Sequence, residues 1–594
     1  MTRLLTDSAI ESTTALCDPP GDEMSAARPA AIGRLSAAVK SWFRKATSEA
    51  WDHWPHAAAK APAPIARRSK AKRQRPLKNA PKPAPLALDI DWSILDRESP
   101  QEWLKLIYAL AGAIASGTRL TSEEAERLGE FAARIGDAEL GADPVRHQIA
   151  CGEIPLLLAA LAGDSPDADY WGDQARKGLT RGVVDLCDGE GMVEAKHLPI
   201  FWSLLAGWTR CYSLARAVGG SCFDREGETQ LTGAVNSALR LLRSDGSPAL
   251  SAKGGEELRP LVFAALAEMG SDAEQELAAK ILPAAWIREA DLKLPKKKPV
   301  KAKLKKKSEP APAYPAAGTF SDWAHFAQLR TSSARNATRM TVAYDRAHLT
   351  TELESAGRTV WSGETHMRLV FQGEELTPTS EWEEVCWLEE DGADYLELSI
   401  DFAHGIELQR QILLDREAGM IYLADVVLSP ASGDLELEVR WPLANSLALQ
   451  GADETREAFL CEKKKPLATV VCPAFPEWQA APASGSLQAA EGSLTLQMRN
   501  RGPNLYAPLV IDLHPRRAAK EVTWRKLTIA ENLQPIDPKL AVGYRVRIGN
   551  RHWLFYRSLG PRGNRTVFGV NLITEFLASR IEKDGKTTTL VEVE

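Results

Sequence analysis

The chain has 594 residues, 44% of them hydrophobic, with a formal charge of −6 and a pI near 6.1. At roughly 150 residues per domain this length predicts several domains, and the mildly acidic balance gives no general case for nucleic-acid binding. Eight cysteines without a CxxC pair fit no common zinc spacing, and no apolar run approaches the roughly 20 residues of a membrane span.

The first 87 residues read as polar and linker-like. Within them, 30–54 carries Ile32, Leu35, Val39, Trp42 and Phe43 at helical spacing, with Arg34, Lys40, Arg44 and Lys45 between. This is a basic amphipathic helix, which could lie on a membrane, on a partner or on its own protein. Residues 1–28 are small and polar, and 58–86 is a Pro/Ala linker with a basic block. The opening residues lack the basic start and apolar core of a secretory signal, so the default expectation is a cytoplasmic protein.

Residues 88–294 are expected to be all-α. Helical periodicity runs over 100–117, 121–136, 144–163, 168–187, 196–219, 227–243, 256–269 and 272–287, which makes four helical hairpins. Thr121-x-x-Glu124 is a capping-box pattern. Asp188-Gly189 and Asp245-Gly246, 57 residues apart, each close a helix. Hairpins repeating at such a period curl into a toroid, here an incomplete one. A Lys/Pro-rich linker over 295–317 then separates this part from the rest.

Residues 318–594 alternate apolar and polar positions in roughly 16–18 short runs bounded by Gly, Pro and Asp, the pattern of antiparallel strands. The clearest stretch is 393–428. It alternates from Tyr395 to Ile400, breaks at Gly405, resumes through Ile412–Leu414 and turns at Asp415–Gly419. So many strands predict a large two-sheet β-sandwich, making the whole an α+β multidomain protein.

Ile406–Arg416 followed by Met420–Asp425, a strand carrying Arg410 and then a strand ending in Asp425, resembles the sandwich segment of the heparinase II/III-like family of polysaccharide lyases. Trp361-Ser-Gly-Glu364, Trp382 and Cys386-Trp387 add to that resemblance over about 90–594. It implies an α/α toroid with a β-sandwich, and cleavage of acidic, uronate-containing polysaccharide by β-elimination. The family's His-x-His motif near the start of the β region is absent; that region holds only His325 and His348.

Elimination needs a group that neutralises the uronate carboxylate, a base for the α-proton and an acid for the leaving oxygen. Asn236, the sole Asn between 87 and 300, is the candidate carboxylate binder. Tyr212 is the candidate acid/base with His197 as its partner. Trp202 and Trp208 are candidate sugar platforms on the same helix, and Trp361 and Arg410 candidate substrate contacts in the sandwich. An aromatic stripe of this kind also fits an ordinary helix core. His366 and His404 are isolated, and Glu383-Glu384 and Glu389-Glu390-Asp391 read as solvated faces rather than a hydrolase pair or calcium ligands. No phosphate loop, dinucleotide fingerprint or nucleophile elbow occurs, and no cofactor or metal is expected. The alternative, favoured by the missing His-x-His motif, is a non-catalytic carbohydrate-binding or scaffold protein on the same fold.

Overall fold

The computed structural model describes residues 36–48, 91–289 apart from 117, 119, 137, 164–166 and 252–257, and 318–594 apart from 519. The polar N-terminus and the linkers at 58–86 and 295–317 lie outside the described residues. The described chain packs as two compact units: residues to Leu186 with Ile200–Leu231, and Cys187–Pro199 with Thr232–Glu594.

The first unit is helical: α1 (Ala37–Ser48), α2 (Pro100–Ser116), α3 (Ser122–Ile135), α4 (Pro144–His147), α5 (Ile154–Ala162), α6 (Asp167–Leu186) and α7 (Phe201–Val218). In α1, Val39 and Phe43 are buried and the Trp42 indole donates to Ser213 Oγ at 3.2 Å. Within the described residues this helix packs on α2 and α7 of its own unit; Ile32 and Leu35 of the expected apolar face lie outside the described residues. The Thr121–Glu124 box caps α3 reciprocally. The run expected at 144–163 is helical throughout but widens to a π turn over Gln148–Glu153, two residues ahead of Pro155, which has no N–H to offer the preceding turn. The run expected from 196 begins as a 3₁₀ segment, Ala195–Ile200, with Pro199 inside it. Helix α7 therefore starts at Phe201, and His197 lies ahead of the helix rather than on its aromatic stripe.

Helix α8 (Arg225–Arg240) leads into the second unit, which also holds α9 (Arg259–Met269), α10 (Asp272–Ile281) and α11 (Ala284–Glu289). The internal repeat is real, with its register shifted. Bridges join Cys187 to Val193 and Leu242 to Pro248, so the equivalent glycines are Gly191 (φ 83°) and Gly246 (φ 88°). Asp188 and Asp245 each accept a backbone N–H inside their turn. Only glycine takes this left-handed geometry at low cost.

The remainder is antiparallel β. Strands β1 (Thr319–Ser321), β2 (Phe326–Arg330), β3 (Arg339–Asp345), β4 (His348–Ser355) and β5 (Arg358–Glu364) form a meander. An 11-stranded sheet is built around Ala393–Phe402, Ile406–Asp415, Met420–Pro442 and Ser493–Asp512, and a five-stranded sheet spans Val522–Val593 with a small four-stranded sheet beside it. Alternate side chains of the central strands enter different cores. Leu396, Leu398, Leu408 and Ile412 pack with Leu353 and Trp361 of the meander. Tyr395, Leu413, Met420 and Tyr422 pack with Trp553, Phe555 and Phe576. The β region is a sandwich with its largest sheet covered on both faces, three layers rather than the expected two. That double burial explains the nearly continuous apolar run Met420–Val427. The expected turn after Asp415 is present. Asp415, fully buried, accepts from Ala418 N at 2.9 Å and from the Trp553 indole at 2.9 Å. Among the described residues no helix is long and apolar enough to cross a membrane.

Candidate functional site

Within the second unit, α8, α10, the 187–199 segment and the β1–β2 hairpin enclose a cleft of about 240 Å³. Helix α8 supplies Asn236, Ser237 and Arg240; α10 supplies Glu274; the turn of the repeat supplies Asp188, Glu190 and Met192; the hairpin supplies Thr319, Phe320, Ser321 and Phe326. The C-terminal end of α8 is held in place by side chains of the meander. Gln328 Nε2 donates to Arg240 O at 3.1 Å, and Arg339 Nη1 donates to Arg240 O and to Leu242 O at 3.1 and 2.7 Å. A cation at a helix C-terminus also complements its dipole.

Asn236 sits between two side chains: its Oδ1 accepts from Arg240 Nε at 2.9 Å and its Nδ2 donates to Glu274 Oε1 at 3.3 Å. Glu274 is otherwise committed to Ser271 in the capping box of α10. Arg240 is only 8% exposed, yet it makes no ion pair among the described residues. Burial pulls its guanidinium below the usual arginine range, and Glu190 and Glu389 partly offset this from a distance. A desolvated guanidinium without a carboxylate is costly to keep unless something completes it. Beside it, Phe320 stacks face to face on Trp387 at 5.2 Å and 13°, forming an aromatic wall.

The turn of the same hairpin carries a second group of polar side chains. The His325 ring stacks on Tyr344 at 5.1 Å. Tyr344 is 1% exposed and its hydroxyl has no hydrogen-bond partner among the described residues. Burial, then Asp322 and Glu384, push that phenol well up. Ala195 N donates to Ala324 O at 2.8 Å, tying the 3₁₀ segment that carries His197 to this turn. His197 is half-buried, and burial followed by Lys196 holds its imidazole below the ordinary histidine range, against Glu194 and Asp345.

The seven residues expected from sequence divide between the units. His197, Asn236, Trp361 and Arg410 lie in the second; Trp202, Trp208 and Tyr212 lie in the first. Tyr212 and Trp202 are half-buried on α7, with Trp202 5.4 Å from Phe201. Three expectations need correction, because a sugar platform or anion contact must present a free face. Trp208 is fully buried and its indole donates to Gln148 Oε1 at 2.8 Å. Trp361 is fully buried and donates to Thr351 Oγ1 at 3.0 Å. Arg410 is paired in register with Asp425 and bound to it by two hydrogen bonds of 2.7 and 3.1 Å, both residues nearly inaccessible. The Arg–Asp strand pair that carried the family resemblance is an internal tie. Sequence reasoning missed Arg240, Glu274 and Phe320. Arg240 was findable in principle, one helical turn after Asn236 on the same face. Glu274 and Phe320 reach the cleft only through tertiary contacts. Among the described residues no group of three or more His, Cys, Asp or Glu is arranged to hold a metal ion.

Helical hairpins followed by a very large antiparallel sandwich define the fold of the heparinase-type polysaccharide lyases, and this chain has it. The heparan sulfate lyase HepC from Pedobacter heparinus superposes with a TM-score of 0.53 at 14% identity, covering 78% of this chain and 75% of that one. A heparinase III crystal structure superposes with a TM-score of 0.54 at 12% identity, covering 77% and 75%. No protein-family profile matches the sequence, and no curated protein matches it.

Proposed function

We propose that this protein binds a uronate-containing polysaccharide in the cleft around Asn236 and Arg240. The observation that carries this reading is Arg240: a buried guanidinium lining a cleft, hydrogen-bonded to Asn236 and without a carboxylate partner among the described residues. A ligand carboxylate would meet the guanidinium, with Ser237, Thr319 and Ser321 offering further polar contacts and the Phe320–Trp387 stack presenting an apolar flank to a sugar ring. The likeness to lyases whose names specify heparan sulfate or heparin supports a polysaccharide as the ligand class. Among the described residues the cleft is lined by Asn, Ser, Thr, Arg and carboxylate side chains, and binding is the primary activity proposed.

One observation favours a second reading, β-elimination. Burial, then Lys196, lower the His197 imidazole below the ordinary histidine range, which favours the neutral form a base requires, and it lies on the segment that supplies Met192 to the cleft. The two readings part in one experiment. Purified protein is incubated with uronate oligosaccharides, with binding followed by calorimetry and product by the ultraviolet absorbance of an unsaturated uronate. Saturable heat without absorbance establishes binding alone. Absorbance that vanishes in His197→Ala establishes the lyase. No heat and no absorbance with any uronate refutes both.

A further inference from the structure

The charge lining the cleft is mixed. Arg240 shares the cleft lining with Asp188, Glu190 and Glu274, and none of the four forms an ion pair among the described residues. Asp188 Oδ1 accepts from the backbone of Glu190 and Met192 at 2.8 and 2.9 Å. Glu274 is 7% exposed, and its partners, Ser271 and Asn236, are neutral. Glu190 is exposed at the cleft edge. Two buried groups of opposite charge on one cavity wall, Arg240 and Glu274, are both hydrogen-bonded to Asn236 and neither is closed into an ion pair among the described residues. A polyanion would satisfy the first and be repelled by the three carboxylates. A ligand carrying both signs satisfies both.

We infer that the ligand is a zwitterionic saccharide, a uronate joined to a hexosamine with a free, unacetylated amine. Its carboxylate meets Arg240 and Asn236, and its ammonium meets Glu190, Glu274 and Asp188. This rests on the uronate-binding reading above and narrows it to one substrate class. A sulfated or N-acetylated chain lacks the cation that the carboxylate side of the cleft requires.

The test uses the full chain and two probes: an unsulfated tetrasaccharide of alternating glucuronate and N-acetylglucosamine, and the same tetrasaccharide after chemical N-deacetylation. Calorimetry below the amine pKa is expected to show the deacetylated form binding about tenfold more tightly or better. That advantage should fade as pH rises through the amine pKa. In Glu190→Gln, whose exposed side chain can change without disturbing the fold, that advantage should shrink. Equal or tighter binding of the N-acetylated form to the native protein overturns the inference and leaves uronate binding standing. Failure of both probes to bind overturns the two together. An advantage undiminished in both Glu190→Gln and Glu274→Gln also overturns it.

Discussion

At the residue scale, the recognisable side chains and the useful ones are different sets. Arg410 and Asp425 are legible in sequence because they sit at matching positions of a hairpin, and the structure spends them on each other. Arg410→Ala is expected to cost about 3–5 kcal/mol by stranding the buried carboxylate, measured by denaturant unfolding, whereas a joint Arg410→Met, Asp425→Leu replacement should cost far less. Asn236→Ala, which strips a hydrogen bond from each of the buried side chains Arg240 and Glu274, should weaken uronate binding about tenfold, ~1.4 kcal/mol, and also lower the unfolding midpoint. Buried His147 supplies the pH dependence. Burial, then Arg181, lower its pKa to about 4, against Asp185, and Gln148 Nε2 lies 3.0 Å from its Nδ1. The unfolded chain therefore takes up a proton that the folded chain refuses. Stability is full above the ordinary histidine pKa of about 6.5 and falls as pH drops from there toward about 4, by up to roughly 3 kcal/mol. Unfolding across that range should be flattened in His147→Gln.

At the element scale, helices were readable because each carries its own period and its own punctuation: the box at Thr121–Glu124, the glycine after α7 at Gly219 with φ 92°. What sequence misplaced was the detail set by a single proline, as at Pro155 and Pro199, or by a turn whose register two Asp-Gly pairs disguised. The true equivalence pairs Gly191 with Gly246, and both face close neighbours. A Cβ on Gly191 would sit 2.1 Å from Ala234 N, and one on Gly246 would sit 2.3 Å from the Trp286 ring. Gly191→Ala should therefore destabilise the second unit by about 1–3 kcal/mol or more from backbone strain alone. Because the same turn supplies Asp188 and Glu190, the substitution should also weaken ligand binding, whereas the exposed, unobstructed Gly189→Ala should do neither.

At the scale of the whole molecule, electrostatics sort the proposals. A cleft with a single guanidinium cannot bind a polyanion through a field of basic residues, so affinity for uronate oligosaccharides should fall by less than about tenfold between low and physiological salt, as read by calorimetry. A steeper loss would point to a basic surface elsewhere. The lyase likeness is one of fold at 12–14% identity, and function on a shared fold is decided by its site. The amino-acid sequence by itself determined the order of helices and then strands, the caps, most helix limits, the turn at Asp415 and the fold family, because these follow from periodicities and local backbone preferences that neighbouring residues impose on one another. Which polar residues are spent on internal ties and which remain to meet a ligand was decided only in three dimensions. Trp208, Trp361 and Arg410 look like binding residues in one dimension and are buried by partners up to 60 positions away, as Gln148 is from Trp208. Arg240, Glu274 and Phe320 become neighbours because α8, α10 and the β1–β2 hairpin pack together. Burial and charge compensation depend on such contacts between distant segments, and no local pattern encodes them.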